Sequence, residues 1–267
     1  MAVADWAAWG AARADPTQCV CTAKSATTVV AARSYASWLA APDAGSAPTT
    51  AVVPTNATTG ALGPQRTTSA ASRIAAVATG ASGVGGMLVL CDRLSHQGGL
   101  SGTTTTAQTT NLPTAALTRY TGGDGVWIAL DIYSAVGTTG TTVTATYTNQ
   151  AGTGSQVTPS TSFGATGFNA ASRRIILPYQ QGDTGARSVE SVLLAGTTGT
   201  AGNFGVTLLK PLLCVPLLAD WDARELDAFL RLANPAALVD GACLEWTLFS
   251  ASTTTNVVAT QLALVEV

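Results

Sequence analysis

A single histidine, His96, would have to serve any nucleophile that needs an imidazole base, so every Ser-His-Asp or Cys-His arrangement must pass through it. It stands in Ser95-His96-Gln97-Gly98-Gly99, a stretch that predicts an exposed loop, and the chain has no Gly-x-Ser-x-Gly elbow. Cys19 and Cys21 are the only close pair among five cysteines. Their spacing is wrong for a Cys-x-x-Cys zinc knuckle, and no second pair of ligands follows. Asp220-Trp221-Asp222 could offer two carboxylates to a cation, but Asp222-Ala-Arg-Glu225 is also a capping-box spacing ahead of Leu226, Phe229 and Leu230, which predicts a short helix. Four glutamates, at 190, 225, 245 and 266, are the stock for paired-acid hydrolysis. Glu245 and Glu266 fall in alternating segments, where an ion-paired or solvated side chain is the simpler reading. These patterns nominate no catalytic residue, no metal ligand and no cofactor.

The glycine-rich run Thr79-Gly-Ala-Ser-Gly-Val-Gly-Gly86 is shaped like the phosphate-binding turn of short-chain dehydrogenases, where glycine lets the backbone approach a pyrophosphate. That chemistry also needs a Tyr-x-x-x-Lys pair. Neither Lys24 nor Lys210 has a tyrosine four residues before it, and repeated strand-helix units are lacking. A glycine loop between structural elements is the expectation.

Composition narrows the class further. Of 267 residues, 48 are Ala, 42 Thr and 27 Gly, while only 10% are charged against about 25% in ordinary soluble domains. Hydrophobic residues make up 46%, enough to build a core, so a disordered chain is not expected. The 13 cations are 11 Arg with Lys24 and Lys210, and the net charge is −2, too few for the basic stripe of a nucleic-acid binder. The apolar stretch Val206 to Ala219 is broken by Lys210, Pro211 and Pro216, so no membrane span is expected, and Met1 to Trp9 lacks the pattern of a secretory signal. An odd cysteine count argues for free thiols made in a reducing cytosol. A surface of Thr, Ser and Gly has little charge to keep copies apart, which points to a protein packed against itself or a partner.

The elements that must carry these residues read as two regions. Residues 1–65 predict an N-terminal helical segment and extended arm: Asp5 caps a helix over Trp6 to Arg13, Thr27 to Ala41 places Val30, Ala31, Tyr35, Trp38 and Leu39 at helical spacing, and Asp43 to Gln65 is Pro-rich. Residues 66–267 read as mainly β, a jelly-roll-like β-sandwich. Val126, Ile128, Leu130 and Ile132 alternate with Trp127, Ala129, Asp131 and Tyr133, and Gly137 to Gly140 turns into the β-branched run Thr142 to Thr148, a hairpin. Asp124 to Thr139 matches Asp240 to Thr255 at an offset of 116, with six of sixteen positions identical. Leu88 to Leu94 likewise resembles Val206 to Leu212 at 118, so two pseudo-duplicated halves are expected, about residues 84–150 and 200–265. Gly125 and Gly185 are the glycines expected to serve turns with positive φ, and Gly241 is a further turn glycine.

Three groups of segments carry a family resemblance: Gln180 to Leu194 with Thr197 to Pro211; Tyr120-Thr-Gly-Gly-Asp-Gly125 with Tyr147-Thr-Asn-Gln-Ala-Gly152; and Val239-Asp-Gly-Ala-Cys-Leu244. They resemble tailed-bacteriophage virion structural proteins, over about residues 87–265. The resemblance implies a non-enzymatic head decoration or cement protein that is made in the host bacterial cytoplasm and sits on the capsid surface of the virion. Its implied partners are the major capsid protein and copies of itself, with a homotrimer expected from lattice geometry. Within that reading Trp6, Trp9, Tyr35 and Trp38 are the expected docking arm, and Asp183, Gly185 and Arg187 the intersubunit loop. The alternative is a tail-tip receptor- or glycan-binding module, with Trp221 and Asp222 in an exposed site.

Overall fold

A computed structural model describes residues 19–62, 72–82, 85–217, 224–227, 237–251, 253 and 255–266. Sixteen β-strands appear among them, with two single-turn 3-10 segments and no α-helix. In chain order they are β1 (Cys19–Thr28), β2 (Arg33–Ala36), β3 (Ser72–Ala81), β4 (Gly86–Leu100), β5 (Gln108–Thr109), β6 (Trp127–Ser134), β7 (Thr141–Asn149) and β8 (Gln156–Val157). They continue as β9 (Thr161–Phe163), β10 (Arg173–Leu177), β11 (Ala186–Leu194), β12 (Asn203–Leu217), β13 (Arg224–Asp227), β14 (Ala237–Leu238), β15 (Leu244–Ser250) and β16 (Thr255–Glu266).

Six strands close into an antiparallel barrel in the order β10-β2-β15-β4-β12-β6. Two further antiparallel sheets flank it. One runs β1-β16-β3-β13 with β14 also on β3; the other runs β5-β11-β7-β8 with β9 also on β7. Side-chain alternation explains how three layers form from such a chain. On β6, Ile128, Leu130 and Ile132 face outward into a core shared with Val143, Ala145, Tyr147, Val189 and Val192 of the second sheet. On β15, Leu244, Trp246 and Leu248 face outward into a separate core with Ile74, Val77 and Val258 of the first sheet. The opposite parity fills the barrel: Val89, Cys91, Ala129 and Leu209 pack together there, with half-buried Trp127, Ile176 and Phe249 at one end.

The strand order has an internal correspondence. Exchanging β2 with β10, β4 with β12 and β6 with β15 maps the ring onto itself. Exchanging β3 with β11, β7 with β16 and β5 with β13 carries the path β16-β3-β13 of one flanking sheet onto β7-β11-β5 of the other. The matched sequence segments Asp124 to Thr139 and Asp240 to Thr255 fall on β6 and β15 and the residues around them.

Two expected helices are corrected. Thr27 to Ala41 forms the end of β1, all of β2 and a 3-10 turn over Ser37–Leu39. Its apolar spacing reflects two short strands meeting different neighbours, since β2 pairs with β15 and β10. The capping-box segment contributes β13, which adds to the edge of β3 through Arg224 opposite Thr79 and Asp227 opposite Ala76. Pairing with an available sheet edge overrides the local helix signal. The expected helix over Trp6 to Arg13 lies outside the described residues. Before residue 65, β1 pairs with β16, and β2 completes the barrel between β15 and β10.

Candidate functional site: a charged barrel interior

The barrel interior carries four formal charges, two of each sign. Arg174 from β10 donates Nε–H and Nη2–H to the two carboxylate oxygens of Asp131 on β6, at 2.7 and 2.8 Å. Its Nη1 donates to the Thr247 hydroxyl at 2.6 Å, and Nη2 lies 2.6 Å from Glu245 Oε1 on β15, an ion pair without an aligned hydrogen bond. Arg93 from β4 reaches both acids, with Nη1 3.0 Å from Asp131 Oδ2 and 3.0 Å from Glu245 Oε2. The Thr207 hydroxyl on β12 donates to Asp131 Oδ2 at 2.8 Å. Five of the six barrel strands therefore meet at one cluster. Period-2 alternation on each strand delivers these residues to the same side as Ala129 and Leu209.

Above the cluster, Arg93 Nη2 donates to Thr207 Oγ1 at 3.0 Å, to the Tyr133 hydroxyl at 2.8 Å and to His96 Nδ1 at 3.1 Å. A guanidinium has no lone pair to give, so Nδ1 accepts and the imidazole proton sits on Nε2. Trp38 closes this end: its ring meets His96 edge-on at 5.1 Å, and Arg93 stacks over it at 4.2 Å. Beside it on β4, Asp92 holds Arg119 through Nε at 2.8 Å and Nη2 at 2.9 Å. Arg119 also donates to the Pro54 and Arg93 carbonyls, and the Cys243 N–H donates to Asp92.

Charge states follow from these contacts. Burial pushes the Asp131 carboxyl up, but Arg174 and Arg93 outweigh it and leave Asp131 below the usual carboxylate range. Burial followed by the adjacent Arg93 cation drives His96 down to about 2, so the imidazole is neutral at any physiological pH. Burial, opposed in part by Arg93, pushes the Tyr133 phenol up to about 12. Asp131 is ionised and bound, Glu245 is paired with both guanidinium groups, the histidine is an acceptor, and the Asp131 and Glu245 side chains are buried. This arrangement ties strands together through paired charge, with Arg93 Nε and Glu245 Oε1 left without a hydrogen bond. No group of three or more His, Cys, Asp or Glu suited to a metal occurs among the described residues.

Comparison with family models, with curated proteins and with solved structures returns no match. The residues themselves carry the argument.

The expected site residues separate cleanly. His96, expected in an exposed loop, is on β4 and 1% exposed. Tyr35 and Trp38, expected on a docking arm, are buried in their own fold, Trp38 at 1% exposure with its indole N–H on the Ser46 carbonyl at 2.8 Å. Trp6, Trp9, Trp221 and Asp222 lie outside the described residues. Asp183, Gly185 and Arg187 do come together, in a corner where three of the segments behind the family resemblance converge. Tyr147 and Asn149 donate to the Asp183 carboxylate at 2.6 and 2.7 Å, and exposed Arg187 donates to the Gln150 carbonyl. Thr184 donates to Asp124 at 2.6 Å, and the Gly125 N–H to the Thr184 carbonyl. Gly125 and Gly241 have φ of 64° and 73°, as turn glycines should. Gly185 does not need positive φ; it needs the absence of a side chain, because a Cβ there would run into the Gly123 carbonyl oxygen.

Arg93, Asp131, Arg174 and Thr207 went unnoticed as a group in the sequence. The available signals are Asp131 and Glu245, acids on the inner parity of alternating strands, each of which demands a cationic partner once buried.

Proposed function

We propose that this chain is a non-enzymatic structural protein of a tailed-bacteriophage virion, made in the host bacterial cytoplasm and bound to the capsid surface as a decoration or cement protein. In this reading its partners are the major capsid protein and copies of itself in a homotrimer. The chain is a jelly-roll-like layering of two duplicated β halves, a reading supported by the strand exchange that maps the barrel onto itself.

One observation carries the proposal. Among the side chains described, half of the charged ones lie inside: Lys24, Arg93, Arg119, Arg173 and Arg174 are buried, as are Asp92, Asp131 and Glu245. That leaves Arg33, Arg187 and Lys210 as the cations at least partly open to solvent among the side chains described. The exterior of the described residues thus carries few ions, in a chain of which only 10% is charged. Thr, Ser, Gly and Ala lose less side-chain entropy than Lys or Glu when an interface orders them, and interface centres are depleted in Lys and Glu. Such a surface suits broad, permanent contact with a shell.

Electron microscopy of purified particles, with the protein labelled, tests the reading. Copies distributed over the head in large number are expected. A few copies confined to a tail tip would replace this function with receptor or glycan binding, and absence from the particle would remove it.

A further inference from the structure

The barrel has two mouths, and the internal correspondence exchanges them. At the offset of 116 residues, Tyr133 at one mouth corresponds to Phe249 at the other, and Cys243 to Trp127. The first mouth is sealed by Trp38, whose ring lies between Arg93, His96 and the close-packed backbone of Gly45 and Gly60. Among the described residues nothing closes the second mouth. Trp127 and Phe249 meet edge-on there at 6.4 Å beside Ile176, Met87 is 39% exposed, and a groove of about 540 Å³ runs over Met87, Ile176, Phe249, Phe168 and Arg33. That volume lies within the range of about 300–1,000 Å³ typical of binding clefts.

The charge at this mouth is as unbalanced as its shape. Arg33 stacks 3.8 Å over the Phe168 ring, its Nη1 donates only to the Ala32 carbonyl beside it, and its buried Nε has no partner. Outside the groove's lining, on the outer side of the neighbouring strand, Arg173 stacks 4.0 Å over Tyr35 and leaves Nε and Nη1 buried and unpartnered. No carboxylate among the described residues lies within 4 Å of either guanidinium, whereas Arg93, Arg119 and Arg174 all have one. Burial, followed by the neighbouring Arg33 charge, holds Arg173 down to about 10. A buried donor left unmade costs about 1–3 kcal/mol, and two adjacent cations without a counter-ion repel one another. Inside the barrel, this fold answers each buried guanidinium with an acid. At the open mouth the acid is missing.

We propose that the open mouth is a docking socket for a partner protein segment that lays an aromatic side chain against Met87, Ile176 and Phe249 and sets a carboxylate on Arg33. The sealed mouth shows what such an opening accepts, an indole under an arginine. The partner is therefore an acidic-aromatic peptide segment, and the socket stands whether or not the protein coats a capsid.

The test is fluorescence anisotropy of the full chain with a fluorescein-labelled Ser-Glu-Trp-Glu-Ser peptide, compared with Ser-Gln-Trp-Gln-Ser and Ser-Glu-Ala-Glu-Ser. Saturable binding of the first is expected, weakened at least tenfold in each of the other two. Arg33→Glu and Met87→Glu sit at the rim, where side chains reach solvent, and each weakens binding at least tenfold. Arg187→Glu, on the distant loop corner, leaves it unchanged. Circular dichroism melting of each variant confirms that it is folded. Equal affinity for all three peptides, equal affinity of the Arg33 and Met87 variants, or no binding at millimolar protein overturns the proposal.

Discussion

Arg174 and Asp131 face each other across adjacent barrel strands, Arg174 opposite Asp131 in register, with both carboxylate oxygens engaged at 2.7 and 2.8 Å. The two-pronged geometry uses the planar fork that distinguishes arginine from lysine. Removing one partner strands a charge where no water reaches it. Asp131→Asn is expected to lower stability by about 3–5 kcal/mol, since it leaves Arg93 and Arg174 sharing only Glu245. Urea unfolding followed by tryptophan fluorescence measures this. A loss below about 1 kcal/mol would show that the cluster is not the tie described above.

His96 gives the barrel a pH signature. Its folded pKa of about 2 lies far below the unfolded value near 6.5, so the unfolded chain takes up a proton that the folded one refuses. The stability it confers is complete above about pH 6.5 and is lost as pH falls towards 2, at about 1.4 kcal/mol per unit. His96→Gln keeps an acceptor for Arg93 and has no such slope. The difference between wild-type and variant stability between pH 6.5 and 4 should therefore fall steadily, and a flat difference would contradict a neutral buried imidazole.

Lys24 is a staple for the chain that follows β2. Its ammonium donates towards the carbonyls of Ala40, Pro42, Asp43 and Gly60 at 2.9 to 3.4 Å. Burial lowers its pKa, partly offset by Asp43. Lys24→Met fills similar space but leaves these oxygens without their donor, and a loss of about 1–3 kcal/mol is expected. Limited proteolysis should show earlier cutting between residues 40 and 60 in the variant.

The loop corner around Asp183 depends on a glycine for room. Gly185→Ala pushes a methyl group into the Gly123 carbonyl oxygen and is expected to cost about 1–3 kcal/mol. Gly122→Ala, three residues from the same corner's Gly125, meets nothing within 4 Å and should stay within about 0.5 kcal/mol of wild type. Thermal melts of the two variants give the comparison directly.

Individual strands are legible from local pattern, because alternation on β6 and β15 is written into consecutive residues, but the expected hairpin does not form: β6 belongs to the barrel and β7 to a flanking sheet. The apolar set Ile128, Leu130 and Ile132 does face a flanking sheet, and Trp127, Ala129, Asp131 and Tyr133 do share the other side. Closure of the barrel is not legible, since it depends on β2, four residues long, bridging β15 and β10, and four residues cannot display a period. The ionic cluster is hidden for a related reason. Arg93 and Glu245 are separated by 152 positions, and only the register of β4 against β15 brings them together. His96 misled because flanking glycines resemble a loop, whereas Gly98 here lets Tyr133 and Ala47 pack close to the strand.

The placement of β16 has a consequence for how the chain is made. It inserts between β1 and β3, with Cys19 opposite Ala263 and Val77 opposite Leu262. During synthesis the two early strands emerge long before the ribbon that joins them, so this sheet cannot zip up as it leaves the ribosome. Until then both carry open ladders that invite wrong partners, which makes assembly slow and gives the nascent chain a need for protection that its finished form does not have.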